Sequence, residues 1–273
     1  MRLCLKTVRK MKYLKPIGQS GRRVRAGLAG ILLGIGPGWL NGVPETDTYE
    51  LAPVEVIGTA ESLFRLPGSG YRVDGQEMEA YQLADINRLL ERVPGVYFRE
   101  EDGYGLIANI SLRGVDTSRS AKLTLMEDGL PTAPAPYSAP AAYYTPALGR
   151  MAGIEVLKGT SQIRYGPHTT GGVINYLSTP LPGKRAGYLR LGIGSDGERL
   201  LHGWLGERAE TGNGTLDFLA EDYRDESDGY REILPADGYG GSGETGFDRD
   251  EGMLKGAWTS SEGRHHLEFK AGI

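Results

Sequence analysis

The sequence predicts an α+β domain followed by antiparallel β-strands of the kind that close into a barrel. Three observations carry this. Between residues 61 and 182, helical and strand patterns mix without a regular βαβ rhythm, which fits α+β better than a doubly wound sheet. From residue 183 onward, runs of about ten residues are apolar on one face and polar on the other. The chain holds 42 glycines but only 39% hydrophobic residues, a balance suited to β structure with many tight turns.

The N-terminal segment stands apart. Every charged side chain before Glu45 is basic, among them Arg2, Lys6, Arg9, Lys10, Lys12, Arg22, Arg23 and Arg25. Residues 26–40 are apolar and glycine-rich, centred on Ile31, Leu32 and Leu33. A basic stretch followed by a short apolar run reads as a signal peptide over residues 1–44. A basic arm that binds nucleic acid is the alternative, and such arms seldom precede an apolar run. After residue 40 no run approaches the ~20 apolar residues of a spanning helix. The net charge of -4 gives no general attraction to nucleic acid. The single cysteine, Cys4, falls in the leader, so disulfides are not expected in the exported chain.

Residues 45–60 begin polar, as a flexible segment, and then reach Val54, Glu55, Val56 and Ile57 behind Pro53. This β-prone run can add as a strand to a partner's sheet edge or serve as an ordinary first strand. Asp74 with Glu77 three residues on forms a capping box and starts a helix. Asp85 caps a second helical segment carrying Ile86, Leu89 and Leu90 on one face, and Pro94-Gly95 ends it. Ile110 and Leu112 alternate with Ser111 and Arg113, as in a half-buried strand. Leu123 and Leu125 form the next strand, which the Asp128-Gly129 turn closes. Two more strands follow, around Ile154–Lys158 and Val173–Leu177.

The order of Leu89–Val96, Ile110–Gly114, Glu127-Asp128-Gly129, Ile154–Gly159, Tyr165-Gly166-Pro167 and Gly171–Asn175 resembles the plug domain of TonB-dependent outer-membrane receptors. Glu127–Gly129 followed by Ala135–Pro140 is most similar to the ferric-dicitrate branch. The resemblance implies a plug over 61–182 and a TonB box at Val54, Glu55, Val56 and Ile57, which the periplasmic partner TonB would grasp. It also implies that Arg113 and Lys158 face glutamates of the barrel wall, or else point to solvent. Lys158 stands where an arginine is expected and lacks the guanidinium's bidentate fork. Outward loops would contact ligand through Arg119, Ser120, Tyr137, Ser138, Tyr143 and Tyr144, or touch only water. Tyrosines on a stiff loop bind at low entropic cost, and Arg119 can pair with a carboxylate of an iron chelate. Glu100, Glu101 and Asp102 would repel such a ligand unless they point away.

Beyond residue 183, Leu189, Leu191 and Ile193, then Leu216 and Phe218, then Leu267, Phe269 and Ala271 mark one face of successive strands. Glu210–Gly214 reads as a short turn and Asp225–Gly246 as a long polar loop. The acidic residues Glu221, Asp222, Asp225, Glu226 and Asp228 lack regular metal-ligand spacing and read as solvated. Alternation alone suits a soluble sandwich as well, and the preceding plug decides for a transmembrane barrel. A complete barrel of this type has about 22 strands, so the chain reads as a fragment or truncated product.

No phosphate loop, dinucleotide fingerprint, metalloprotease helix or nucleophile elbow is present. His265 and His266 are adjacent and would face opposite ways on a strand. The expected function is import of a ferric chelate across the outer membrane, without catalysis, cofactor or resident metal. The expected partners are TonB, the chelate and membrane lipid, with no nucleic acid. A secreted β-rich binding or carbohydrate-active protein, with Leu189, Leu191 and Ile193 in a sandwich core, is the other reading.

Overall fold

The computed structural model describes residues 3–4, 57, 65–81, 85–101, 104–132, 144–165, 170–230, 232–233 and 243–272. Val54, Glu55, Val56, Tyr137, Ser138 and Tyr143 lie outside them, as does nearly all of the expected leader. Leu3–Cys4 (β1) runs parallel beside Phe269 and Lys270, at a sheet edge whose backbone groups are otherwise open to pairing.

The first domain is a mixed sheet under two short helices. Strands β2 (Ser69–Val73), β5 (Leu123–Glu127), β6 (Leu130–Pro131), β7 (Met151–Lys158) and β8 (Gly172–Ser178) lie in the order β2-β7-β8-β5-β6. Of these five strands, β5 and β8 pair in parallel and the other neighbours antiparallel. A separate hairpin joins β3 (Val96–Phe98) to β4 (Ile110–Leu112). Helix α1 (Gly75–Tyr81) begins as expected, with the Glu77 amide donating to Asp74 Oδ1 at 2.9 Å. Helix α2 (Ile86–Leu90) is capped by Asp85, which accepts from the Asn87 amide at 2.8 Å. Asp128 and Gly129 both have positive φ, 49° and 75°, the conformation that a two-residue hairpin turn demands between β5 and β6.

Ile110–Leu112 is buried on both sides, and so are most residues of β5, β7 and β8, which corrects the half-buried expectation. The reason is a second cover. Ile86, Leu89 and Leu90 pack over Ile154, Val156, Ile174 and Tyr176 on one face. Ile57 joins Met126, Leu157 and Val173 on the other. Polar residues on that second face are paired internally. Glu155, fully buried, accepts from Asn175 Nδ2 at 2.9 Å and from the Ile57 amide at 3.0 Å, with Arg72 at 3.6 Å.

The second part is a single antiparallel sheet: β9 (Ala186–Ile193), β10 (Arg199–Thr211), β11 (Gly214–Ser227), β14 (Phe247–Ser260) and β15 (His266–Gly272). Residues 212–213 and 261–265 are short turns at one end. At the other end lie residues 194–198 and the long connection 228–246, which contains the small pair β12 (Glu232–Ile233) and β13 (Gly243–Glu244). Strand β11 runs to Ser227, so the long loop begins three residues later than the polarity of Asp225–Ser227 suggested. Glu221 and Asp225 are likewise not solvated but buried on its inner face. Polarity misleads here because barrel strands turn charged side chains inward.

The outer face is apolar. Leu189, Leu191 and Ile193 are 67%, 71% and 94% exposed, opposite to what a sandwich core requires. Leu205, Leu216, Phe218, Leu254, Leu267 and Phe269 extend the same face. Near the long-loop end it becomes charged, with Arg224 paired to Asp250 at 3.2 Å and Arg199 to Glu226 at 3.1 Å. An apolar belt with a charged rim matches a strand sheet that crosses lipid.

Candidate functional site

Two places bring chemistry-bearing side chains together: the outer apex of the first domain and its contact with the wall. The apex is oriented by Tyr104. Its ring packs at 5.3 Å from Tyr230 and 4.7 Å from Phe247, and its hydroxyl accepts from the Tyr230 amide at 3.1 Å. These partners sit at the long-loop end of β11 and β14, so Tyr104 lies on the same side. Arg119 lies at this apex, its guanidinium holding Glu101 through two bonds of 2.6 Å. Asn109 Nδ2 also donates to Glu101, at 2.7 Å. That hydrogen bond holds the Glu101 pKa below its ordinary 4.5; burial works against it, and the Arg119 charge adds to the lowering. The stabilisation is therefore complete above pH 4.5 and lost as pH falls through the depressed value. Thermal melts of Glu101→Gln and the parent should differ at neutral pH and converge in acid.

Ser120 is buried rather than presented to solvent. Its hydroxyl donates to the Ala108 carbonyl and accepts from the Ile110 amide at 3.0 Å, so it braces the backbone beneath Arg119. Tyr144 also points inward: it accepts from Arg150 at 2.8 Å and donates to Glu251 at 3.2 Å. Burial raises its phenol pKa well above the usual value. Of the six residues expected to meet ligand, Arg119 is the one the described residues leave partly exposed at the apex.

The wall contact centres on Arg150, which ends the short turn before β7 and is 4% exposed. It donates to Glu251 of β14 at 2.8 Å and to Glu127 at 3.2 Å, and lies 3.8 Å from Glu221 of β11. Burial opposes its charge, but Glu127, Tyr144, Glu251 and Glu221 outweigh that and raise its pKa well above the ordinary range. Glu251 further accepts from the Ala147 amide at 2.9 Å, tying the turn to the wall by backbone as well. Beside it, Asp128 accepts from the Ser178 amide at 2.9 Å and from Lys270 at 2.6 Å, with Lys255 at 3.3 Å. Burial would raise the Asp128 pKa, yet Lys255 and Lys270 overcome it and depress it strongly. Lys270 also reaches Glu127 at 2.6 Å. Next to this cluster, a cleft of about 670 Å³ lies between α1 and strands β9 and β10, lined by Asp74, Glu79, Arg190, His202 and Trp204 among others. Among the described residues, the ion pairs between the first domain and the wall converge on Arg150 and on Glu127 and Asp128.

Arg113 and Lys158 are elsewhere. Arg113 is exposed with φ 60°, its amide donating to Gly95 O at 2.8 Å. Lys158 is buried and donates to Pro94 O at 2.6 Å. Desolvation, with Arg113 nearby, lowers its pKa. Neither meets a wall glutamate among the described residues. The cation that does, Arg150, was missed. Its signal was readable: Glu221 and Glu251 fall on the inner phase of strands whose outer phase is apolar, so they need a cation inside.

Comparison with known proteins agrees with this architecture. Residues 62–173 match the family model of the TonB-dependent Receptor Plug Domain. The chain is 31% identical over 150 residues to the vitamin B12 transporter BtuB of Photobacterium profundum, a match covering 55% of this chain and 24% of that protein. Its counterpart in Vibrio vulnificus is 27% identical over 155 residues, 57% of this chain and 25% of the relative. Among solved structures, the unliganded ferric citrate transporter FecA superposes with a TM-score of 0.57 at 22% identity, over 78% of this chain and 32% of that one. The ferric yersiniabactin uptake receptor FyuA from Yersinia pestis gives 0.52 at 22% identity, over 70% and 29%. The chain thus spans about a quarter of the curated relatives and about a third of the solved receptors.

Proposed function

We propose that this chain, a plug of the TonB-dependent receptor type followed by barrel strands, is part of an outer-membrane receptor that imports a ferric chelate. One observation carries the reading. A compact α+β domain is docked by buried ion pairs to the inner face of a sheet whose outer face is an apolar belt. A secreted β-rich protein has no use for that outer face, since exposed apolar area on this scale is a liability in water.

In this reading the apex, with Arg119 and Tyr104, meets the solute. The segment at Val54–Ile57 is the TonB box, read on its position ahead of the plug. Ile57 is its described end, buried against Met126, Leu157 and Val173, with its amide on Glu155. Pulling on Val54–Val56 would therefore draw directly on the central sheet: Ile57 would leave Glu155, and Glu155 would be left to Asn175 and Arg72. The energy comes from the inner-membrane proton gradient through TonB, and no covalent step is asked of the receptor. In this reading Arg113 and Lys158 are plug–barrel interface residues, as their place in the motifs implies.

Fractionation and uptake test this together. The gene product should be found in the outer membrane, and its uptake of ferric chelate should stop when a protonophore collapses the gradient. Recovery in the soluble periplasm would overturn the reading. The belt itself predicts that Leu191→Arg destabilises the folded wall by about 2–4 kcal/mol if Leu191 lies near mid-membrane, measured by urea titration in lipid vesicles.

A further inference from the structure

Arg119 is held through its backbone, and its partner Glu101 through its carboxylate. Arg119 and Ser120 both adopt positive φ, 51° and 54°, which two successive non-glycine residues keep only when their surroundings enforce it. The enforcement is visible: the Arg119 amide donates to Asn109 Oδ1 at 2.9 Å, the Ser120 amide to Thr117 O at 3.0 Å, and the Ser120 hydroxyl bridges Ala108 and Ile110. Glu101, by contrast, is held through its carboxylate, on Arg119 and Asn109. The pair is about one-third exposed on both sides, 37% for Arg119 and 35% for Glu101.

From this asymmetry we infer that Glu101 is a resident carboxylate occupying the position on Arg119 that a carboxylate of the ligand takes, so that ligand binds by exchange. The inference rests on the receptor reading and narrows it to a chelate bearing free carboxylates. The chain itself demonstrates the chemistry, because a carboxylate already fills both arms of the guanidinium fork. It also accounts for one of the acidic residues near the apex: Glu101 is spent on Arg119, and departs when replaced. The exchange keeps the charge of Arg119 matched throughout, since one carboxylate leaves as another arrives. Specificity follows, because a neutral solute cannot evict an ion-paired glutamate.

The test is binding of ferric citrate to outer membranes carrying the full receptor, as parent, Glu101→Gln, Arg119→Lys, Arg119→Gln and the double Glu101→Gln/Arg119→Gln. Removing the competitor should tighten ferric citrate binding roughly fivefold, the size of an exposed ion pair. Arg119→Gln should weaken it, Arg119→Lys should weaken it less, and the double variant should bind no better than Arg119→Gln. Protease resistance of the plug in each variant checks that it is folded. Unchanged or weaker binding by folded Glu101→Gln overturns the inference. So does a receptor that takes a ferric catecholate or cyanocobalamin but not ferric citrate, an outcome that leaves the receptor reading standing. Absence from the outer membrane instead overturns the receptor reading.

Discussion

Arg150→Met is expected to cost about 3–5 kcal/mol of the contact that seats the plug, because it removes one member of a buried ion cluster and leaves the others charged. Glu127, Glu221 and Glu251 converge on this guanidinium from β5, β11 and β14. Met fills much of the same volume, so the loss is electrostatic rather than a cavity. The lower end of the range is expected, since Lys270 still faces Glu127 and Arg249 still faces Glu251 at 2.9 Å. Glu221 then relies on Thr179 at 2.6 Å and His202 at 2.9 Å. Arg150→Lys keeps the charge but can reach fewer carboxylates at once, so a smaller loss is expected. The readout is the urea midpoint at which a protease gains access to the plug in the outer-membrane protein, with the barrel still folded.

Asp128→Asn should cost about 2 kcal/mol by the same readout, the worth of hydrogen bonds to a charged group. The substitution is chosen for its backbone. Asp128 sits at φ 49°, and asparagine tolerates that conformation, so the turn survives while the charge and one of the two acceptor oxygens are lost. Lys255 then keeps the Thr179 carbonyl at 2.8 Å but no longer its carboxylate at 3.3 Å. Lys270 loses one of its two acids. Because Lys255 and Lys270 depress the Asp128 pKa below its ordinary 3.8, its contribution is complete above that value and fades as pH falls through the depressed one. The gap between parent and variant should therefore be flat between about pH 5 and 8 and close only in strong acid.

Much of the fold was legible because local chemistry and global architecture agree. Asp74 and Asp85 start helices, Asp128-Gly129 makes the hairpin turn, and the alternation around Leu189 faces outward. Burial on both faces of β7 and β8 was not legible, since Glu155 and Asn175 look like solvent-facing positions until Ile57 and Arg72 are known to cover them. The site was legible in part. Arg119 is partly exposed beside Glu101, while Ser120 and Tyr144 turn inward, because a loop's sequence does not say which backbone or side-chain groups will claim its hydroxyls. The wall cluster was hidden for a different reason. Arg150 and Glu251 are 101 residues apart, and nothing short of strand register brings them together.

The central claim is that the α+β domain and the strand sheet form one docked unit through charges shared across their boundary. A double-mutant cycle between Arg150→Met and Glu251→Gln, measured by the urea dependence of plug release in the outer-membrane receptor, tests this most directly. The account predicts a coupling of about 2 kcal/mol or more, as buried partners in one network show. Additive effects within about 0.5 kcal/mol would mean that the two residues do not meet, and would contradict it.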